Sequence, residues 1–237
     1  MAAAEHERER TGDSPNHGLV RRVIPDTVLW WWHRVFYGWG PRFASRVRKR
    51  WILVKHPFAD IRLEEPVYLG AGFSLQIPYR GKFHAGPRCD FRRGFRAEIA
   101  EGGELVIGAG SVFTDNVLIQ CTTRIEIGER CMFGQSTAVF DGNHRFRDLD
   151  KPMLEQGYDY KPITIEDDVT TTTKCTIIAN IGTRAFVGAN TVIVKDVPAY
   201  SLVVGNPARV VEYYGPGAGP ERPGSGEPAE PSTETAA

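Results

Sequence analysis

The sequence lacks the features that mark secreted, disulfide-stabilised and membrane-spanning proteins. Its 237 residues include four cysteines, with neither a CxxC pair nor the even spacing of a disulfide framework. No run of roughly 18 apolar residues occurs, so no membrane span is predicted. The start, MAAAEHERERTGDSPNHG, is polar and contains acids, which is unlike a secretory signal. We therefore expect a cytoplasmic protein, with a location at the inner face of the membrane as the alternative.

An overall charge of either sign is also absent. Twenty-nine Lys and Arg residues balance twenty-nine Asp and Glu residues, so the formal net charge is zero at pH 7. The positive charge is nevertheless concentrated, because the stretch from Arg21 to Arg50 contains eight Lys or Arg residues and the single acid Asp26. No nucleic-acid recognition motif accompanies this stretch, and we expect no nucleic-acid partner.

Composition divides the chain into four parts. Residues 1–19 are polar and residues 215–237 are rich in Pro, Gly and Glu, so both are predicted to be disordered. Residues 20–56 combine tryptophan with basic residues and are predicted to be helical. Residues 57–214 are predicted to form the main domain, with a loop inserted at 140–162.

The tryptophan-rich part has the spacing of an amphipathic helix. Its large apolar residues follow the i, i+3, i+4, i+7 pattern: Val28, Trp31, Trp32 and Val35. A helix start is predicted at Asp26, an end at Gly38–Pro41, and a second, basic helix to about Lys55. This part is expected either to pack on the rest of the protein or a neighbouring subunit, or to place residues 20–50 against an anionic membrane.

The main domain follows a six-residue repeat that begins near Val67. A large apolar residue fills the first position in every clear block but one, where Thr171 stands. The apolar residues are Ile107, Phe113, Ile119, Ile127, Phe133, Val139, Ile165, Ile181, Val187 and Ile193. The fifth position is small, β-branched or Asn. This period suits short strands that turn and stack into a solenoid, with coils of about 18 residues. Asn143 falls on a fifth position, which predicts that His144 lies at the rim of the stack.

Three motifs beyond the repeat resemble one family. They are Asp-x-Asn-His at 141–144, Glu-Asp-Asp-Val at 166–169, and VGANTVIVKDVPAYSLVVGNPARVV at 187–211 with its closing Gly-Asn-Pro-Ala-Arg signature. From about Val67 to Tyr213 the chain resembles the hexapeptide-repeat acyltransferases. It is most similar to the sugar O-acetyltransferases grouped with maltose, galactoside and nodulation acetyltransferases.

The resemblance implies a mainly β fold, a left-handed parallel β-helix, assembled as a homotrimer. It implies direct acetyl transfer from acetyl-CoA to a hydroxyl of a sugar or glycan precursor, with no metal. His144 is the implied general base, because a neutral imidazole can accept the hydroxyl proton. Asp141 is the candidate for orienting it, with Asp148 and Asp150 as alternatives, and Asn143 completes the motif.

The resemblance also implies a site for CoA between neighbouring subunits. By position in the last coils, five residues are expected to contact CoA: Thr173, Gly188, Ala189, Lys195 and Arg209. Gly188 and Ala189 would allow close approach of the backbone. Lys195 would contact the phosphates as a point charge, and the guanidinium of Arg209 would donate two parallel hydrogen bonds to them.

Two departures from the family pattern keep alternatives open. Four threonines at 170–173 replace Trp-Ile/Leu-Gly and a small residue, and the step from Ile177 to Ile181 is shorter than the repeat requires. Either the acyl channel is re-lined, or the chain is a non-catalytic β-helix that scaffolds partners or sits at a membrane.

Two other chemistries fit less well. A γ-class carbonic anhydrase-like metal protein needs three zinc-binding histidines, whereas the repeat region offers His84 and His144. A cysteine nucleophile is disfavoured because Cys131 and Cys175 occupy fifth positions, where small residues pack in the core.

Overall fold

A computed structural model describes residues 25–217 of the chain. The predicted disorder of residues 1–19, and that of the tail beyond residue 217, lies outside the described residues. The chain divides into two units, Met1–Val47 and Arg48–Ala237.

The tryptophan-rich part is helical throughout its described length. Helix α1 spans Asp26–His33, a π-helical stretch spans Arg34–Trp39, and helix α2 spans Gly40–Lys55. The predicted start and the predicted final residue are confirmed, but the predicted break at Gly38–Pro41 is wrong. The helix continues because Gly40 carries no side chain that would strike the carbonyl oxygen of Val35, to which the N–H of Gly40 donates. No helix within residues 25–217 combines the length and apolar character needed to cross a bilayer.

Twenty-one short strands follow within the described part of the chain. In chain order they are β1 Asp60–Leu63, β2 Tyr68–Leu69, β3 Ser74–Gln76, β4 Lys82–Ala85, β5 Asp90–Phe91, β6 Arg96–Ile99, β7 Glu104–Ile107, β8 Val112–Phe113, β9 Leu118–Cys121, β10 Arg124–Ile127, β11 Met132–Phe133, β12 Ala138–Phe140, β13 Gly142–His144, β14 Tyr158–Tyr160, β15 Ile163–Ile165, β16 Thr170–Thr171, β17 Thr176–Ile177, β18 Phe186–Val187, β19 Val192–Ile193, β20 Ser201–Val204 and β21 Arg209–Tyr213. A single 3₁₀ turn, Met153–Glu155, lies between β13 and β14.

The strands form three sheets and one hairpin. Sheet A has the order β1-β4-β7-β10-β15, sheet B the order β2-β5-β8-β11-β16-β18-β20-β21, and sheet C the order β3-β6-β9-β12-β17-β19. All pairings in these sheets are parallel except that of β20 with β21. Successive strands pass from A to B to C and then start again. The predicted mainly β fold, a parallel β-helix of hexapeptide repeats preceded by a helical segment, is confirmed.

The first positions of the repeat fill the core as columns of stacked side chains. In sheet B, the ring of Phe113 stacks between those of Phe91 and Phe133, with centroids 5.0 and 4.8 Å apart and nearly parallel planes. All three rings are fully buried. Each coil therefore buries its apolar residues against the residue at the equivalent position of the next coil, which is the way a solenoid is stabilised.

The coils become shorter along the stack. In sheet B the register advances 22 residues from Leu69 to Phe91 and 20 residues from Phe113 to Phe133, but 16 residues from Thr171 to Val187. The expectation of 18-residue coils is therefore wrong. The residues are lost at the corner between sheets C and A, where the last two coils contribute only isolated bridges, Ile165 to Ile181 and Ile181 to Val197, to sheet A.

Side chains close this shortened corner. The side-chain oxygen of Asn180 accepts a hydrogen bond from the backbone N–H of Thr164 at 2.9 Å. The backbone N–H of Asn180 in turn donates to the carboxylate of Asp196 at 3.0 Å. This hydrogen bond is the main reason that the pKa of Asp196 lies below its usual value. The short coil thus satisfies its backbone groups without a full strand.

The four consecutive threonines fit the stack as an ordinary coil. Thr171 is fully buried, and its hydroxyl accepts a hydrogen bond from the N–H of Gly134 at 3.2 Å and lies 3.5 Å from the hydroxyl of Thr137. The hydroxyl of Thr172 donates to the carbonyl of Val187 at 2.9 Å. The unusual polar groups therefore have partners, and the register continues through them.

We expect the thiols to be unreactive in the native protein. All four cysteines, Cys89, Cys121, Cys131 and Cys175, are free and buried. Burial raises the pKa of Cys121 to about 12 and that of Cys131 to about 11, and the thiolate is the reactive form. Mass spectrometry should find no iodoacetamide adduct on the folded protein near neutral pH and four adducts on the unfolded chain. Labelling of folded Cys121 as fast as a free thiol would contradict this expectation.

Candidate active site

The inserted loop begins and ends as an antiparallel ribbon of β13 and β14, in which His144 lies opposite Tyr158. The ring centroids of these two residues are 4.2 Å apart, and the ring of Tyr160 stacks 5.6 Å from that of Tyr158. Gly142 makes room for this row, because a Cβ there would lie 2.6 Å from Cδ1 of Tyr160. The ribbon therefore presents an imidazole and two phenol rings side by side.

Asn143 is exposed and pairs with Asp159 on the ribbon. Neighbouring residues of a strand point to opposite faces, so Asn143 and His144 project in opposite directions. The expectation that Asn143 fills an inward corner is wrong, because the chain has already left the stack at this point. His144 accordingly sits on the ribbon, beyond the rim. A catalytic role for Asn143 stays a prediction.

Asp141 is buried where the loop leaves the stack, with 3% of its surface exposed. Its carboxylate accepts hydrogen bonds from the N–H of Thr122 at 2.8 and 2.9 Å, from the N–H of Thr123 at 2.6 Å, and from the hydroxyl of Thr123 at 3.0 Å. Its carbonyl oxygen accepts the N–H of Lys161 at 2.9 Å. Within residues 25–217 no hydrogen bond joins Asp141 to His144. Asp141 therefore ties both ends of the loop to the preceding coil rather than orienting the imidazole.

Of the two alternative acids, Asp148 is engaged within the loop. The carboxylate of Asp148 accepts the N–H of Asp150 at 3.1 Å and forms an ion pair with Lys151 at 3.4 Å. The His144 ring contacts the ring of Tyr158, tilted 40° to it, rather than a carboxylate.

A cavity of about 600 Å³ lies between the ribbon and the outer surface of sheet C. The residues that give it chemical character are His144, Tyr158, Tyr160, Gln76, Glu98 and Gln120. The side-chain amide of Gln120 donates to the carboxylate of Glu98 at 2.7 Å. The volume lies in the usual range for small-molecule sites, roughly 300–1,000 Å³.

Sequence reasoning missed most of the cavity wall. Gln76, Glu98 and Gln120 occupy equivalent outward positions of β3, β6 and β9, and their recurrence at one register could have identified them. Tyr158 and Tyr160 follow the alternation of a strand that is exposed on both faces. Their pairing with the motif strand depends on a reversal of the chain within the loop, for which the repeat gives no signal.

The five expected CoA contacts do not all lie together. Thr173, Gly188 and Ala189 lie at the corner between sheets B and C, where Arg209 pairs with Val204 beside Gly188. Lys195 follows β19 at the opposite end of sheet C. The corner is tightly stacked, since a Cβ on Gly188 would lie 2.7 Å from Cγ1 of Val204. None of the five lines the cavity under His144.

Among residues 25–217, no three His, Cys, Asp or Glu side chains lie close enough together to hold a metal ion.

Known proteins that are similar to the chain are acetyltransferases. No family model matches the chain. A Mycobacterium tuberculosis protein named "Probable acetyltransferase Rv3034c" is 27% identical over 186 residues, covering 71% of this chain and 60% of that protein. Serine acetyltransferase of Bacillus licheniformis is 38% identical over 93 residues, covering 38% of this chain and 40% of that protein. The chain therefore spans less than two thirds of the length of these curated relatives.

A solved structure shares the fold. The polysialic acid O-acetyltransferase OatWY superposes with a TM-score of 0.52 at 18% identity, covering 65% of this chain and 85% of that one. The chain resembles the hexapeptide-repeat acetyltransferases. Likeness to these acetyltransferases thus agrees with the repeat, the motifs and the β-helix of the chain itself.

Replacement of Asp141 by Asn should loosen the loop. An amide keeps the size of the side chain but offers one acceptor oxygen, so at least one backbone N–H of Thr122 or Thr123 loses its partner. Loss of a buried hydrogen bond to a charged group costs about 1.5–3 kcal/mol, and denaturant titration should show a decrease of that size in the free energy of unfolding. Asp159→Asn is the matched control, because Asp159 is exposed and forms only a surface ion pair with Arg145. An equal loss in both variants would contradict the assignment.

Proposed function

We propose that the chain transfers an acetyl group from acetyl-CoA to a hydroxyl group of a sugar or glycan precursor. The observation that carries the proposal is the position of His144, which faces a cavity lined by aromatic rings and by amide and carboxylate side chains. The names of the relatives support acetyl-CoA as the donor, since both are acetyltransferases.

In this proposal His144 is the general base. Its imidazole accepts the proton of the acceptor hydroxyl while the hydroxyl oxygen attacks the thioester carbonyl. The tetrahedral intermediate collapses by breaking the C–S bond, and the proton passes to the departing CoA sulfur. Transfer is direct, because the cysteine thiols are buried with raised pKa values and no other activated nucleophile lines the cavity.

The lining of the cavity supports a sugar as the acceptor. Sugar hydroxyls need several donors and acceptors at close range, which the row of Gln76, Glu98 and Gln120 offers. The rings of Tyr158 and Tyr160 offer a flat apolar surface for the C–H face of a sugar ring. The amide N–H of Gln120 donates to Glu98, whose other oxygen pairs with Arg96, and the amide oxygen of Gln120 is an acceptor that these bonds do not use.

The donor site is proposed to involve Thr173, Gly188, Ala189, Lys195 and Arg209. Since these residues lie away from the cavity under His144, a thioester bound to them in one subunit would reach the His144 of a neighbouring copy. This separation supports a homotrimer with acetyl-CoA between subunits. A non-catalytic scaffold is the alternative, but its main support weakens because the threonine run keeps the register of the stack and the hydroxyls of Thr171 and Thr172 have partners.

His144→Gln should lower kcat/KM for acetyl transfer by about 10²–10⁴, the usual contribution of a general base. The measurement is thiol release from acetyl-CoA with a panel of sugar acceptors. His84→Gln is the matched control, because His84 lies on β4 with its Nε2 2.8 Å from the carboxylate of Asp60 and does not line the cavity. Full activity of His144→Gln would show that the base is elsewhere. If wild type releases no thiol with any acceptor and binds no CoA, the scaffold alternative is correct.

Arg209→Gln and Lys195→Gln should raise KM for acetyl-CoA by about 10-fold or more, the loss expected for one charge-assisted contact to phosphate. The kcat should change little, since neither residue reaches the reacting atoms. Acetyl-dephospho-CoA identifies the contact: the variant that loses the 3′-phosphate contact should show the same KM as wild type with this donor. Unchanged KM values with both donors would remove the two residues from the donor site.

A further inference from the structure

The stretch from Asp26 to Trp39 is helical although it buries nothing. No residue of α1 or of the π-helical stretch is buried, yet these fourteen residues include six aromatic side chains. Trp30, Trp31 and Trp32 are each more than half exposed. Because most helices in proteins depend on packing an apolar face, this composition indicates a surface that is covered by something outside the described chain.

Three of the tryptophan rings of this stretch, Trp30, Trp31 and Trp39, form a cluster. Trp31 contacts both Trp30 and Trp39 edge to face, with centroids 5.3 and 5.8 Å apart. The guanidinium of Arg34 lies over the rings of Trp30 and Trp39, at 4.8 and 5.2 Å from their centroids. The cluster therefore presents indole rings and a cation on the same surface.

Helix α2 continues this character in two neighbouring rows. Residues four apart on a helix lie on one face. One row is apolar and more than half exposed: Phe43, Val47, Trp51 and Val54. The row beside it is basic and consists of Arg42, Arg46 and Arg50, for which no acidic partner exists among residues 25–217.

The other basic residues of α2 are used internally. Lys49 forms an ion pair with Glu65, and the guanidinium of Arg48 donates to the carbonyl of Leu69 at 2.6 Å. Ile52 is buried in the core. From Arg48 onward α2 is thus fixed to the β-helix by one side, while its apolar and arginine rows stay exposed.

We propose that residues 26–55, here called the aromatic–basic segment, bind the surface of an anionic membrane. Apolar and aromatic side chains enter the headgroup region, where tryptophan is favoured, and the arginines meet lipid phosphates. The charge decides between occupants. The segment has seven Lys or Arg residues against the single acid Asp26, so a second copy would add like charge, whereas anionic lipid is complementary.

The tryptophans provide a direct measurement on the full-length chain. All five lie between Trp30 and Trp51, so intrinsic tryptophan fluorescence reports this segment alone. With vesicles of phosphatidylcholine containing about 30% phosphatidylglycerol, at roughly 0.1 M salt, the protein should co-sediment and its emission should shift to shorter wavelength. With phosphatidylcholine alone, binding should be far weaker, and high salt should release the protein from the anionic vesicles.

Two matched triple variants test the role of the arginine row. The first variant replaces Arg42, Arg46 and Arg50 together by Gln. It should weaken vesicle binding about 100-fold, because each arginine near the membrane contributes roughly a fivefold gain in affinity. The control changes Arg62, Arg92 and Arg96 to Gln, which removes the same charge from exposed arginines that pair with acids on the β-helix, and should bind as wild type.

Several outcomes would overturn the proposal. One is wild type that neither sediments with anionic vesicles nor changes its tryptophan emission. Another is equal weakening by the two triple variants, since binding would then follow net charge alone. A third combines two results: light scattering finds a changed mass in solution for the arginine-row variant, and wild type does not bind vesicles. That combination would assign the segment to contacts between copies of the chain. None of these outcomes bears on acetyl transfer, which is measured separately.

Discussion

The hydrogen bonds from the backbone of Thr122 and Thr123 to the carboxylate of Asp141 hold the insertion to the stack. A solenoid tolerates an insertion only if the chain returns to the next coil in register. Here the same residue binds the returning chain as well, through its carbonyl oxygen and the N–H of Lys161. The strand after the loop then pairs with the strand before it, Ile163 beside Ile125, as though nothing intervened.

This anchor explains why the ribbon can carry a chemical site. A long loop in a compact domain is either functional or disordered, and a buried carboxylate that accepts from three donors strongly restrains the base of this loop. The rings of His144, Tyr158 and Tyr160 are thereby held across the cavity from the polar side chains of sheet C, Gln76, Glu98 and Gln120. Further along the stack, the side chains of Asn180 and Asp196 likewise accept hydrogen bonds from backbone N–H groups. The coils can therefore shorten there without leaving these backbone groups unpaired.

The fold was predictable because the residue types at each position of the repeat follow from how the coils pack on one another. A large residue at every first position and a small one at the fifth follow directly from stacked coils, and Phe113, Val117 and Ile119 behave as the period requires. The coil length was not predictable, since it depends on how many residues each corner contains. The corner at Asn180 is closed by the side chains of Asn180 and Asp196, which the period does not encode. At Gly38–Pro41 local breakers suggested a stop, but the backbone widened into a π-helical stretch instead.

The site was predictable only in part. His144 was identified from its motif, but the motif suggested that Asp141 is a catalytic partner, whereas its contacts are those of a structural anchor. Backbone amide exchange at Thr122 and Thr123 tests this anchor most directly. In the wild type both amides should exchange as slowly as those of the central strands, although neither N–H is paired in a sheet, and in the Asp141→Asn variant they should exchange much faster while the amide of Ile181 is unchanged. Fast exchange at Thr122 and Thr123 in the wild type would contradict the role of Asp141.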